Sequence, residues 1–264
     1  MGFLLAVSII LQIFTGILLA LHYASDITTA YSSVFFLIRE IYYGWCLRYF
    51  HSSGASFVFL FLFLHLGRAI FISSYYYNPN TWNSGIIILF LLMATAFLGY
   101  VLPFGQMSFW GATVITNLLS FLPSLIEWIC GGFSVLNPTL KRFFVFHFIL
   151  PFILCGFTIL HLFYLHLHSS NNPLRVNTNN KIQFFPFILV KDFFGLMVVL
   201  TLYFLQCHFG IATYAHKKYI FHYIPVAVVF LVKNDFFNSC GRNAAFTTQW
   251  MVNVQHVLST TYTD

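Results

Sequence analysis

Five stretches of this chain are long and apolar enough to cross a lipid bilayer, and that demand limits the fold more than any other feature of the sequence. A membrane's hydrocarbon layer requires about 20 apolar residues per crossing helix. It also offers no water to unpaired backbone groups, so each stretch has to be helical. The expected spans cover residues 2–22, 45–73, 82–102, 143–168 and 192–212. Composition agrees: 59% of residues are hydrophobic, 7% are charged and the mean hydropathy is +0.83, which excludes a soluble globular domain. The expectation is an all-α integral membrane protein that passes the bilayer several times. Its first apolar run begins almost at Met1 and is long enough to be a span, so no cleavable presequence is expected.

Between the spans the sequence turns polar or irregular. Residues 23–44 leave the bilayer, and 34–41 are expected to form a short interfacial helix. Asn78, Pro79 and Asn80 make a turn, preceded by Tyr75 to Tyr77, whose placement fits an aromatic belt. Residues 105–142 mix short apolar pieces with glycine and proline, so short surface helices are expected between the third and fourth spans. Pro151 should kink the fourth span modestly. Residues 169–183 form an extramembranous linker. Residues 212–264 have no assignment, because the apolar run at 219–232 is too short to span and contains His222 and Pro225.

Inside the spans, four histidines repeat one interval. His51 and His65 are fourteen residues apart in the second span, and His147 and His161 fourteen apart in the fourth. Fourteen helical residues turn through about 1400°, roughly 40° short of four turns, and rise about 21 Å. Each pair therefore occupies one helix face at two depths. Spans alternate in direction, so the second and fourth run parallel; His51 then meets His147 near one surface and His65 meets His161 near the other. Paired imidazoles are axial ligands for haem iron, and two such sites would carry electrons across a membrane.

A second set of residues keeps the same interval. Gly2 and Gly16 lie in the first span and Gly85 and Gly99 in the third, the two spans without histidine pairs. A flat macrocycle can be approached closely only where a helix has no side chain, so two histidine helices and two glycine helices suit a dihaem four-helix bundle. Arg48, Arg68 and Arg142 lie three to five residues from a histidine and suit haem propionates. His166, Ser170, Lys191 and Asp192 gather at the linker side of the fourth and fifth spans, where a quinone taking up electrons would also need protons.

Other chemistries fit less well. The formal charge of +6 comes from twelve cations and six anions scattered between apolar runs, without the patch a nucleic acid requires. Charge does not choose an orientation either, since Arg39, Arg48, Lys141 and Arg142 fall on one side and Arg68, Arg175, Lys181 and Lys191 on the other. Cys46, Cys130, Cys155, Cys207 and Cys240 form no CxxC or CxxCH, so any haem is noncovalent. A transporter or proton channel with a histidine relay, a different dihaem quinone oxidoreductase and a nonfunctional fragment remain competing readings.

Several motifs carry a family resemblance. They are Arg48 to His51 followed by Gly54-Ala55-Ser56, Gly99 to Pro103, Gly105 to Asn117 (GQMSFWGATVITN), Arg142 to Phe152, and Ser170 to Pro173. Over about residues 1–211 the chain resembles the mitochondrial cytochrome b family of the ubiquinol:cytochrome c reductase complex (complex III). Residues 129–132 and 165–168 are similar to apicomplexan members. The resemblance implies a dihaem bundle over 1–168 with the surface-helix loop 105–142 inserted, a linker and fifth span over 169–211, and an unassigned, divergent tail over 212–264. It implies two noncovalent b-type haems, with His51 and His147 on the low-potential iron and His65 and His161 on the high-potential iron. Phe97, Tyr100, Gly111 and Ile115 match residues of the quinol-oxidation pocket, and His166, Ser170 and Asp192 match the quinone-reduction site. The implied activity is the Q cycle with ubiquinol and ubiquinone, in a dimeric complex with the Rieske iron–sulfur protein, cytochrome c1 and other subunits in the mitochondrial inner membrane. Two features depart from the family: its PEWY motif is absent, and Phe104 stands in place of the usual tryptophan. With the lead segment before the first span and recognisable later helices also missing, these departures imply a fragment whose remainder is supplied by another polypeptide or lost through a rearranged gene, or a tail from about residue 212 that is not a family sequence.

Overall fold

A computed structural model describes residues 1–170, 172 and 182–216, with side chains through residue 206. The expectations placed on Arg175, Lys181, His222, Pro225, most of the linker and the tail from 217 lie outside the described residues. Among those described there is no strand. The helices are α1 (Gly2–Ala20), α2 (Ala30–Glu40), α3 (Gly44–Phe71), α4 (Ser74–Tyr77), α5 (Pro79–Val101), α6 (Gln106–Leu118), α7 (Pro123–Cys130), α8 (Asn137–His168) and α9 (Leu189–His216). Five segments have the length and apolarity of membrane spans: α1, α3, α5, α8 and the segment Phe184–Gln206 that ends within α9. The chain is an all-α multi-pass membrane protein.

Helix boundaries differ from hydropathy where proline and polar caps act. Both α5 and α8 start earlier than their apolar residues suggest, with Pro79 and Pro138 in their first turns. Proline is already set to helical φ and loses nothing by lacking an N–H at that position. In α8 the Thr139 hydroxyl donates to the Cys130 carbonyl (3.0 Å) and accepts from the Leu136 N–H (3.2 Å), tying the start of α8 to the end of α7. The surface helix α2 likewise begins with a polar turn, Ala30 to Ser33, that an apolar count passes over. Tyr75 to Tyr77 belong to a separate short helix, α4. Before α9, Phe185 is extended (φ −99°, ψ 132°), so the chain enters that helix through a kink near Pro186. Pro151 lies inside α8, which continues past it as one helix.

Packing divides the bundle into two helix pairs. α1 lies along α3, and α5 lies along α8. α9 packs on α3 and α1 from outside, where Tyr203, 1% exposed, stacks on Phe57 at 4.2 Å between ring centroids and donates to the Gly54 carbonyl (3.4 Å). At the other end of the bundle from the entry to α9, α6 and α7 cover the ends of α5 and α8. Val101, Ala112, Cys130, Val135 and Phe143 form the buried cluster there. The chain turns between helices with positive φ at Tyr43 (56°), Ser73 (56°), Phe104 (49°), Gly131 (69°) and Ser169 (61°). Glycine takes that conformation without the Cβ clash the other four incur.

The loop between α1 and α2 is fastened to the start of α8. Asn137 Nδ2 donates to Asp26 Oδ2 (2.9 Å), and the Ile27 N–H donates to Asn137 Oδ1 (2.8 Å). Tyr23 donates its hydroxyl proton to the Leu102 carbonyl and packs on Phe144. Burial pushes the Tyr23 phenol above its ordinary range, so it stays a donor.

Candidate functional site

The four histidines face one another across the seam between the helix pairs. His51 and His147 have ring centroids 6.2 Å apart, and His65 and His161 have theirs 6.3 Å apart. Only parallel α3 and α8 in matching register can produce both approaches at once. Two metal–nitrogen bonds of about 2 Å each, with about 1 Å from ligating nitrogen to ring centre on either side, sum to roughly 6 Å. Both separations therefore fit a metal held between two imidazoles. Among the described residues no group of three His, Cys, Asp or Glu side chains could hold a bare ion. A two-imidazole site needs the rest of its coordination from the metal's own ligand, as a porphyrin supplies.

Each glycine stands opposite the histidine of its own packing partner. A Cβ built on Gly2 would lie 3.6 Å from His65 Cε1, one on Gly16 3.0 Å from His51 Cε1, and one on Gly85 3.2 Å from His161 Cε1. On Gly99 it would overlap His147, lying 2.9 Å from Nδ1 and 3.0 Å from Nε2. The protein side chain nearest each of these glycines is the imidazole itself, so the missing side chain leaves the ring, and a flat group bound at it, room beside the helix.

Three imidazoles are held by Nδ1. His147 Nδ1–H donates to the Thr95 carbonyl (2.8 Å). His51 Nδ1 is 3.0 Å from Thr15 Oγ1, whose own proton goes to the Leu11 carbonyl (2.8 Å). His161 Nδ1 is 2.9 Å from Ser84 Oγ, whose proton goes to the Thr81 carbonyl (2.9 Å). With their protons so placed, both hydroxyl oxygens are free to accept from a ring Nδ1–H, beside the backbone carbonyls of Gln12 and Thr81 that His51 and His161 also reach, and the Nδ1–H tautomer leaves Nε2 unprotonated. His65 differs: its Nδ1 is 3.3 Å from Arg68 Nη2, and a guanidinium can only donate. Sequence reasoning missed Thr15, Ser84 and the Thr95 carbonyl. The available signal was a hydroxyl residue directly before a glycine in Thr15-Gly16 and Ser84-Gly85.

The other predicted residues fall into three places. Arg48 is half-buried on α3 one turn before His51, and Arg68 is exposed one turn after His65. Arg142 instead reaches the end of α7, donating to the carbonyls of Trp128 and Ile129 (3.1 Å to the latter) with its guanidinium 5.1 Å from the Trp128 ring centre. Phe97 and Ile115 line a cavity of about 200 Å³ shared with Leu98, Thr116, Arg142 and Phe143. Gly111 is adjacent, facing Tyr100 Cε1 at 4.0 Å from where its Cβ would lie, and Ser108 Oγ donates to the Tyr100 carbonyl (2.9 Å). α5 and α6 thus bring Phe97 and Ile115 to one cavity and Tyr100 against Gly111, while Tyr100 and Gly111 do not line that cavity.

The proposed reduction residues are more dispersed. His166 is exposed in the last turn of α8, Ser170 is exposed just beyond it, and Asp192 is half-buried in the first turn of α9. No hydrogen bond or ion pair among the described residues joins the three. Asn78 Nδ2 donates to the Ser169 carbonyl (3.0 Å), fixing the end of α8 to the start of α5.

Comparison with known proteins points the same way as the geometry. A family model described as cytochrome b/b6/petB matches residues 1–169, which include both histidine pairs and all four glycines. A solved structure of a hyperthermophilic respiratory Complex III contains a chain with 29% sequence identity and a TM-score of 0.75. The match covers 80% of this chain and 59% of that one.

Proposed function

Because the chain belongs to the cytochrome b/b6/petB family, we propose that it is the cytochrome b subunit of a ubiquinol:cytochrome c reductase, holding two noncovalent b-type haems and exchanging electrons with quinones. The observation that carries this reading is the pair of imidazole separations, 6.2 and 6.3 Å, each flanked by glycines that admit the rings. His51 and His147 would hold the low-potential haem and His65 and His161 the high-potential one. Bound there, the two groups would supply one-electron carriage between the two membrane surfaces.

The chain's own residues do the rest. Arg48, Arg68 and Arg142 are the cations for propionates, with Arg142 releasing the α7 carbonyls and Arg68 releasing His65 Nδ1 to take that part. Phe97, Tyr100, Gly111 and Ile115 form an apolar pocket for a quinol ring beside His147's end of the bundle. His166, Ser170 and Asp192 hold a quinone at the opposite surface, with His166 and Asp192 passing it protons. Protons released at one surface and taken up at the other make the Q cycle a charge-separating device. The Rieske protein, cytochrome c1, further subunits, a second copy in a dimer and the mitochondrial inner membrane complete the proposal. Residues 1–168 are its dihaem unit, with 105–142 inserted; 169–211 supply the linker and fifth span.

A reduced-minus-oxidised spectrum of the purified full chain tests it. Two low-spin b-type components are expected, and His65→Ala should remove one and leave the other. A spectrum without a Soret band would favour a histidine-relay channel instead.

A further inference from the structure

Thr15 and Ser84 occupy equivalent positions in the two halves of the bundle. Each is directly followed by the glycine that faces a histidine, each spends its hydroxyl proton on a carbonyl of its own helix, and each turns its oxygen to that histidine's Nδ1. Thr15 does this for His51 at 3.0 Å, and Ser84 for His161 at 2.9 Å. The two belong to different helix pairs and to different sites. One hydroxyl therefore serves each proposed metal site, from the helix that contributes no ligand to it.

We infer that Thr15 and Ser84 are positioning residues that separately set the reduction potentials of the two sites, Thr15 through His51 and Ser84 through His161. The inference rests on the bis-imidazole reading above. An acceptor on Nδ1–H pulls the ring proton away and makes Nε2 the stronger electron donor. A stronger donor favours the oxidised metal, so each hydroxyl lowers its own site's potential. The same bond fixes the ring's tautomer and rotation. The hydroxyl itself loses little in exchange, because its proton already has a helical carbonyl.

The test is a potentiometric titration of the full chain with both haems bound, followed by visible spectra and by the low-spin ferric EPR signals. Thr15→Val keeps the side chain's shape and removes the hydroxyl acceptor, leaving the Gln12 carbonyl beside His51 in place. It should raise the potential of the His51–His147 haem alone, up to a tenfold change in its reduction equilibrium, which is about 59 mV for one electron. Ser84→Ala should raise the other haem's potential alone, and Thr15→Ser and Ser84→Thr should restore the original values. Selective loss of one haem in a variant, with the other unchanged, also supports the assignment. Unchanged potentials in both variants, or equal shifts in both haems from either one, overturn it. Absence of both haems from the unsubstituted chain would instead overturn the bis-imidazole reading itself.

Discussion

The two histidine sites share one spacing in sequence and differ in how tightly the fold holds them. At the His51–His147 end both imidazoles have acceptors at Nδ1, and the facing glycines leave no room for even a methyl group at Gly99. At the His65–His161 end the glycine clearances are larger, and His65 faces a guanidinium in place of an acceptor. The fastened loops, α6, α7 and the buried cluster around Val101 all lie at the first end. Equal intervals along two helices therefore produce one site built into the end that α6 and α7 cover and one nearer the opposite end.

Alanine at the four glycines tests that difference most strongly. Replacing glycine by alanine in a helix ordinarily gains up to about 1 kcal/mol, so any loss reflects the approach of the ring. Gly99→Ala should displace His147 and cost about 1–3 kcal/mol, with loss of the haem signal from that site while the other persists. Gly16→Ala and then Gly85→Ala should follow with smaller losses, each confined to its own site. Gly2→Ala meets only ordinary contact and should stay within about 0.5 kcal/mol of the original stability. Thermal release of haem, followed separately at the two absorption bands, reads the order. A uniform response at all four positions would mean that the two ends are not packed differently.

A second contrast concerns charge. Arg68→Gln should weaken haem retention at the His65–His161 site by about tenfold, if its charge-assisted bond is of the usual strength of about 1.5–3 kcal/mol after discounting for exposure. The His51–His147 site should be unaffected. Retention measured by competition with apomyoglobin distinguishes the two outcomes.

The smallest expected effect is acid loosening of the packed end. Hydrogen bonds from Thr28, then from Asn137, together with the charge of Lys141, hold the Asp26 carboxyl below its usual range. A carboxyl whose folded pKa is lowered supports the fold above its unfolded value of about 3.9, and that support is lost as pH falls through the folded value. The protection of the Ile27 amide, taken relative to its intrinsic exchange rate at each pH, should therefore fall below about pH 4, and Asp26→Asn should make that protection independent of pH in the same range. Faster exchange across the entire bundle would point to general unfolding.

Much of this molecule was legible in its residues because a bilayer leaves few options. Apolar length identified the five spans, and alternation of direction placed α3 and α8 parallel. The fourteen-residue interval put the glycines on the two helices without histidine pairs, while which glycine meets which histidine is decided by helix packing. Helix ends were less legible, since Pro79, Pro138 and the polar turn of α2 start helices where hydropathy is low. Arg142 shows the same gap at the site: its distance from His147 in sequence fits a propionate, while its bonds to the carbonyls at the end of α7 and its packing on Trp128 depend on how α7 meets α8.

What the sequence by itself determined was periodicity: which residues share a helix face and at what depth, because helical rise and turn are constant along a chain. What only the tertiary structure decided was each imidazole's neighbour. Thr15, Ser84, the Thr95 carbonyl and Arg68 reach an Nδ1 according to how the helices are rotated and how closely they pack. Those quantities are set by the sum of contacts between segments far apart in sequence, and no single segment encodes them.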